Sequence, residues 1–126
     1  MIPDAFAIAI GGAIGSVLRY LITVAAQTTL NAAMVGTLIV NVVGCLLIGM
    51  MAESALIGIS MPQRVQLGVR VGLLGGLTTF STFGLDTVVL STKSTPMITG
   101  AYVAANLVLG IAAVWIGMMG VRNWAS

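Results

Sequence analysis

The residues best suited to chemistry lie in one short run at 75–84, which reads GGLTTFSTFG. Four hydroxyl residues stand within five positions of this run, and Phe80 and Phe83 are three apart, on one side of a helix. Hydroxyl groups donate hydrogen bonds, and the edge of a phenylalanine ring is electropositive. Together they suit a small, strongly hydrated anion and need no fixed positive charge beside it.

Both features also have simpler interpretations. Phenylalanine in an apolar chain usually serves packing alone. Ser and Thr in membrane helices often bond to the carbonyl of the preceding turn, and we expect this of at least one hydroxyl here. Four hydroxyls within five positions nevertheless exceed what packing requires. They belong to Thr78, Thr79, Ser81 and Thr82.

Further polar residues recur at helical spacing elsewhere in the chain. Thr37 lies one turn before Asn41, so the two can line one polar track, and Tyr102, Asn106 and Gly110 share a face in the same way. A side-chain amide offers two N–H donors and one acceptor. It can hold two helices together or bind an anion, and the sequence leaves both roles open for Asn41.

Enzyme motifs are absent from the sequence. There is no histidine and only one cysteine, Cys45, so neither a histidine triad nor a cysteine–histidine zinc site can form. The run at 75–79 lacks the lysine of a phosphate-binding loop. We therefore predict that the chain is not an enzyme. Interfacial, snorkelling or ion-paired positions are expected for Arg19, Glu53, Arg70 and Asp86.

The composition requires lipid around these polar residues. Hydrophobic residues make up 59% of the 126 residues and charged ones 6%, whereas soluble domains carry about a quarter charged residues. We predict a single all-α transmembrane domain over residues 1–126. Its basic residues are scattered, so nucleic acid is not a partner. The predicted helices cover about 5–26, 35–57, 65–90 and 96–120, and the predicted loops are 27–33, 59–63 and 91–94.

The third predicted helix is expected to break near its middle. Adjacent glycines followed by hydroxyl residues make a poor uniform helix, and freed backbone groups must be satisfied by protein or water. Carbonyl groups freed at such a break can act as ligands for a hard cation. Glycines also line one face of helix three, and small residues recur in helix one, a pattern that we expect to pack helices closely between subunits. These residues are Gly11, Gly12, Gly15, Ser16, Gly68, Gly72 and Gly76.

The charge distribution gives little orientation to the chain. An even number of helices places both termini on one side, and the basic residues divide almost evenly between the two sides. We therefore expect insertion in both directions. Four helices are too few to enclose a polar pathway alone, so an oligomer is also expected.

Taken together, these motifs resemble the small bacterial fluoride channels, the Fluc or CrcB-type proteins. The likeness covers essentially the whole chain, and the run at 75–83 is its most specific part. The matching segments are 11–15 with Arg19 and Tyr20, 36–38 with Asn41, 75–83, and 102–105.

The resemblance implies an antiparallel, dual-topology homodimer in the bacterial inner membrane, with two pores through which cytoplasmic fluoride leaks out and its toxicity is relieved. It implies that fluoride contacts Asn41 and the ring edges of Phe80 and Phe83. Tyr102 would lie along the same pathway, and Thr37 and Ser81 would belong to its polar track. A structural sodium ion at the dimer centre would be bound by the backbone carbonyls of Gly75 and Thr78.

The chain departs from that family at three positions. Members often have serine where Asn106 and Gly110 stand, and many have glutamate where Asp86 stands. Gly110 lacks a hydroxyl, so a side-chain ligand is not expected there, whereas Asn106 keeps a donor. These differences are expected to tune the rate of conduction or the gating of the exit, and to leave the class of protein unchanged.

Two other classes fit part of the pattern. Small four-helix multidrug exporters have a similar size and can insert in both directions, but they carry a membrane-embedded glutamate in helix one, where this chain has only Asp4 at the edge. A non-transporting membrane subunit would not need clustered hydroxyls, an amide and two phenylalanines at this spacing.

Overall fold

The computed structural model describes residues 1–59 and 61–125, which form helices joined by short connections. Ser60, part of the loop predicted at 59–63, and Ser126 lie outside the described residues. Within the described residues, four segments are long and apolar enough to cross a membrane, which confirms the all-α, four-span prediction. The first, second and last spans are α1 (Ile2–Leu30), α2 (Ala33–Leu56) and α6 (Pro96–Ala125).

The third span (Gln63–Lys93) is divided. Its first half, residues 63–77, is continuous, and its second half follows an extended stretch of two residues. The extended residues are Thr78, with φ −79° and ψ 155°, and Thr79, with φ −151° and ψ 116°. The predicted break in helix three is therefore confirmed. The parts in order are α3 (Gln63–Leu67), a π-helical segment (Gly68–Leu74), α4 (Gly75–Leu77) and, as the second half, α5 (Phe80–Lys93).

The first connection is shorter than predicted. Residues 27–30, predicted to belong to the loop at 27–33, continue α1 instead. Thr29 donates its hydroxyl to the Ala25 carbonyl at 2.6 Å, so a threonine expected to favour a loop stabilises the last turn. The helix ends at Asn31, whose φ of 52° is a left-handed conformation that asparagine tolerates well.

Glycines let α1 approach the first half of the third span backbone to backbone. A Cβ atom at Gly11 would overlap the carbonyl oxygen of Gly68, and one at Gly15 would overlap that of Leu73. In the other direction, a Cβ at Gly76 would lie 2.6 Å from the carbonyl oxygen of Gly12. The expectation that these glycine faces pack between subunits is therefore wrong, because the chain already uses them within itself.

The helices α2 and α6 form the other tightly packed pair, again through close contacts at small residues. A Cβ at Gly49 would overlap the Val114 carbonyl oxygen, and one at Gly117 would overlap that of Leu46. The second half of the third span packs on this pair, and the described residues show no comparable contact between it and α1. Its outer side is therefore uncovered, with Phe80, Leu85 and Val88 exposed.

Candidate functional site

The break in the third span is stabilised by its own hydroxyl groups. Thr79 caps α5, since its Oγ1 accepts the backbone N–H of Thr82 at 3.1 Å. The same oxygen lies 3.0 Å from the Thr82 hydroxyl, to which it donates, and 3.3 Å from that of Ser81. Thr78 donates to the Leu74 carbonyl at 2.9 Å, which confirms the expected bond to a preceding turn. Ser81 itself is exposed.

Asn41 of α2 forms hydrogen bonds with the backbone at the break. Its Oδ1 accepts the backbone N–H of Thr79 at 2.8 Å, and its Nδ2 donates to the Thr79 carbonyl at 3.2 Å. The Nδ2 group also donates to Oδ1 of Asn106 at 3.1 Å. The amide expected to donate to fluoride thus has both of its N–H groups engaged within the protein. Asn41 can donate to an anion only if it gives up one of these hydrogen bonds.

Asp86 lies at the centre of a second set of hydrogen bonds. Its Oδ2 accepts the hydroxyl of Thr37 at 2.8 Å and that of Tyr102 at 3.0 Å. Thr37 is 1% exposed and Tyr102 7%, so these donors are held inside the bundle. Asp86 is therefore partnered by hydroxyl groups, and in the part of the chain that the structure describes it forms no ion pair. One indication of this position was available in the sequence: Asp86 follows Phe83 by three residues, so the two side chains are neighbours on the same helix.

The two sets are linked through α6 and together form a polar column, in which Tyr102 bonds to Asp86 through its hydroxyl and to Asn106 through its backbone carbonyl. Asn106 donates its Nδ2 to the Tyr102 carbonyl at 3.1 Å and accepts from Asn41 on its other side. The column therefore runs from Asp86 through Tyr102 and Asn106 to Asn41 and the break at Thr79. Thr37 and Asn41, which were predicted to line one polar track, bond to different partners. The hydrogen bonds that link them pass through Tyr102 and Asn106 of α6.

The two phenylalanines lie against each other but differ in exposure. Their ring centroids are 5.6 Å apart with an interplanar angle of 54°, and Phe83 lies 5.8 Å from the ring of Tyr102. Phe83 is 9% exposed, whereas Phe80 is 80% exposed. Within one chain, the surroundings of the Phe80 ring are thus incomplete. The prediction that both ring edges meet one anion stays a prediction.

An open cleft of about 370 Å³ brings most of the predicted residues together. It lies where the break faces α2 and α6. Three of the predicted site residues, Thr37, Ser81 and Tyr102, are not part of its lining. Those that line it are Asn41, Gly75, Thr78, Phe80 and Phe83, with Gly44, Cys45, Ile48, Arg70, Leu74, Thr79, Asn106 and Leu107 beside them.

The carbonyl groups of Gly75 and Thr78 fit the role of cation ligands. In a continuous helix they would accept the N–H groups of Thr79 and Thr82. Those N–H groups donate instead to Oδ1 of Asn41 and Oγ1 of Thr79. Both carbonyls thus lack their helical donors, and hard cations prefer such oxygens. In the described part of the chain, no group of three or more His, Cys, Asp or Glu residues offers an alternative metal site.

Three ion pairs of the described residues lie near the ends of the spans. Glu53, 2% exposed, accepts two hydrogen bonds from Arg122, at 2.8 and 3.1 Å, as expected for a paired carboxylate. Asp4 lies 3.5 Å from Arg64 and 3.2 Å from the amino terminus. These pairs hold the helix ends and lie apart from the polar column.

The sequence is similar to a known family model and to named proteins from several organisms. A family model described as "CrcB-like protein, Camphor Resistance (CrcB)" matches residues 6–118. A protein of Rhizobium etli strain CIAT 652 is 43% identical over 123 residues, covering 97% of this chain and 98% of the relative. Proteins of Methanopyrus kandleri (43% over 112 residues; 89% and 84% covered) and Geobacter sulfurreducens (40% over 118; 93% and 95%) are similar. All three are named "Fluoride-specific ion channel FluC".

Proposed function

The chain belongs to the CrcB-like protein family, and on that basis we propose that it is a channel through which fluoride leaves the cytoplasm passively, relieving fluoride toxicity. The observation that carries the proposal is the near full-length similarity to proteins named fluoride-specific ion channels. The family resemblance drawn from the sequence is thereby confirmed. The names of these relatives also agree with the prediction that the chain is not an enzyme. It is a multi-pass membrane protein, and the proposed location is the bacterial inner membrane.

The chemistry of the polar column supports a small anion as the substrate. Hydroxyl and amide donors can replace water molecules around an ion that crosses a membrane. We assign the pathway to the residues predicted from the sequence. Two of them, Thr37 and Tyr102, already donate to Asp86, so fluoride would bind there in exchange for one of those hydrogen bonds. The full set is Thr37, Asn41, Phe80, Ser81, Phe83 and Tyr102.

The direct test is ion efflux from liposomes that contain the purified protein. We expect fluoride to leave rapidly and chloride to stay, with empty liposomes as the background. Efflux of both ions at one rate, or no fluoride efflux, would contradict the proposal. The same assay separates the channel from a proton-coupled drug exporter and from a non-transporting subunit, since neither conducts fluoride.

The functional unit that we propose is an antiparallel homodimer with two pores. The support is the uncovered side of the second half of the third span, where Phe80 is exposed and the cleft is open. A second copy would cover the ring of Phe80 and enclose the cleft. The weak charge bias between the two ends of the spans supports opposite orientations.

Orientation can be measured with a single cysteine at either terminus in a Cys45→Ser background. In whole cells, we expect an impermeant thiol reagent to label each terminal cysteine in part before lysis and fully after it. Labelling of both termini only after lysis, or fully before it, would show one orientation and contradict the antiparallel arrangement.

A structural sodium ion at the dimer centre is the last part of the proposal. The carbonyls of Gly75 and Thr78 would hold it, because their helical donors are engaged elsewhere. The ion would balance these carbonyl dipoles and fix the break. Replacing sodium by a large organic cation during purification should lower fluoride efflux, and re-addition of sodium should restore it. Efflux that ignores the exchange would argue against this site.

A further inference from the structure

Arg70 joins the cleft at the break to a second groove. This groove has a volume of about 310 Å³ and extends from Arg70 to the start of the third span at Gln63. Arg70 and Ile48 line both spaces, so the two meet at these side chains. The combined path runs from the end of the span to the break. The rest of the second groove is lined by Gln66, Leu67 and Val71.

The backbone around Arg70 directs its side chain away from α1. Arg70 lies on the π-helical segment (Gly68–Leu74), midway between Gly68 and Gly72. Both glycines face α1, where a Cβ at Gly68 would lie 3.2 Å from the Ala7 carbonyl oxygen. Residues two apart in a helix point to nearly opposite sides. Arg70 therefore faces the grooves, and it is exposed.

Among the described residues, no carboxylate neutralises Arg70. The sequence has three acidic residues, and each has other partners. Asp4 bonds to Arg64 and the amino terminus, Glu53 to Arg122, and Asp86 to two hydroxyl groups. Among residues 1–59 and 61–125, Arg70 makes no ion pair.

Arg70 lies part-way along the third span, so its lack of an ion pair calls for an explanation. It follows Gln63 by seven residues, which places it about 10 Å along the span at an α-helical rise. This position lies toward one end of a 31-residue span, and an unpaired cation in such a segment is costly unless it meets water or an anion. The two grooves give this guanidinium access to both.

We propose that Arg70 forms an anion-collecting subsite where the second groove meets the cleft, raising the local concentration of fluoride before it reaches Asn41 and Phe80. A charge in a cleft with low-dielectric walls focuses the field and speeds arrival of the opposite charge. The subsite attracts any small anion, so it sets the rate of supply and leaves selectivity to the polar column. This inference rests on the proposed fluoride channel.

The test compares Arg70→Gln and Arg70→Lys with wild type in fluoride efflux at low and high concentrations of an impermeant salt. Arg64→Gln is the matched control, because Arg64 lies on the same span outside both grooves and bonds to Asp4. At low salt, Arg70→Gln should lower efflux by about tenfold, and Arg70→Lys by much less. High salt should shrink the difference because it screens the charge. Arg64→Gln should match wild type at both salt concentrations.

Several outcomes would overturn the subsite. Arg70→Gln that conducts like wild type at low salt would show that Arg70 does not collect the anion, for instance because a lipid phosphate neutralises it. An equal loss at low and high salt, or a shifted elution on gel filtration, would show a structural role. If Arg70→Gln does not fold, wild-type efflux that does not change with salt overturns the subsite by itself. Wild-type protein without fluoride efflux would overturn the proposed function and the subsite with it.

Discussion

The first half of the third span (63–77) packs against α1 through close backbone contacts. The second half (Phe80–Lys93) packs against α2 and α6, and there side chains also form hydrogen bonds between the helices. A Cβ atom added at Gly15 or Gly76 would come too close to a backbone carbonyl oxygen of the neighbouring helix. At Gly84, in the second half, no atom lies within 4 Å of an added Cβ. The difference separates a scaffold, in which small size is required, from a site, in which particular functional groups are required.

The residues between the two halves show how one side chain serves both. Asn41 accepts the N–H of Thr79, which the break separates from its helical acceptor, and it adds a donor to the Thr79 carbonyl. It also reaches Asn106 in the polar column. The break is therefore part of the site, because it turns backbone groups that a continuous helix would use toward neighbouring side chains.

The scaffold is most easily broken at Gly15. Gly15→Val places side-chain atoms on the Leu73 carbonyl oxygen, and we expect a loss of about 3 kcal/mol or more, with little folded protein recovered. Gly84→Ala is the control for the second half and should change stability by no more than about 1 kcal/mol. Gel filtration and unfolding in detergent measure both. A Gly15→Val protein as stable as wild type would remove the scaffold role of this contact.

A smaller effect is expected at the break. Asn41→Ala leaves the N–H of Thr79 without its partner and removes one donor to the Thr79 carbonyl, and it should cost about 1–3 kcal/mol. Asn106→Ala removes only one acceptor from Asn41 and should cost less. Unfolding titrations of the two variants in the same detergent provide the comparison. Equal losses would mean that Asn41 does not hold the break.

The smallest effects are expected where hydroxyls meet Asp86. Thr37→Val and Tyr102→Phe each remove one donor and should cost about 1 kcal/mol, the level of interhelical hydrogen bonds in membranes. The double variant leaves the carboxylate with neither donor, so its loss should exceed the sum of the single losses. Strictly additive losses would contradict the view that these hydroxyls share one acceptor.

The architecture could be predicted from the sequence because it depends on local properties. Charge-free stretches predict spans, and the glycine and hydroxyl residues at 75–82 predict the break. The partners of the polar side chains depend on how the helices lie against one another. The sequence did not predict that Asn41 would use both N–H groups within the protein, nor that Asp86 would bond to Thr37, which is 49 residues away.

The exposure of Phe80 also lay beyond prediction. Its spacing from Phe83 correctly placed the rings together, with centroids 5.6 Å apart. Whether a ring on the edge of such a pair is covered depends on which neighbours α5 meets, and α5 leaves that side open. The use of the glycine faces within the chain could not be predicted for the same reason, since small residues show where helices approach but not which helices.

The central claim is that the second half of the third span conducts the anion while the glycine face of the first half holds the fold, and Phe80→Ile tests it most directly. Phe80 is 80% exposed within one chain, so this change should leave the fold of the chain intact, and gel filtration checks that the assembly is kept. Leu85→Ile, at another exposed position of α5 outside the cleft, is the matched control. We predict that Phe80→Ile lowers fluoride efflux from liposomes by about tenfold or more, roughly 1.4 kcal/mol in the barrier, while Leu85→Ile conducts like wild type. Fluoride efflux unchanged by Phe80→Ile would contradict the account.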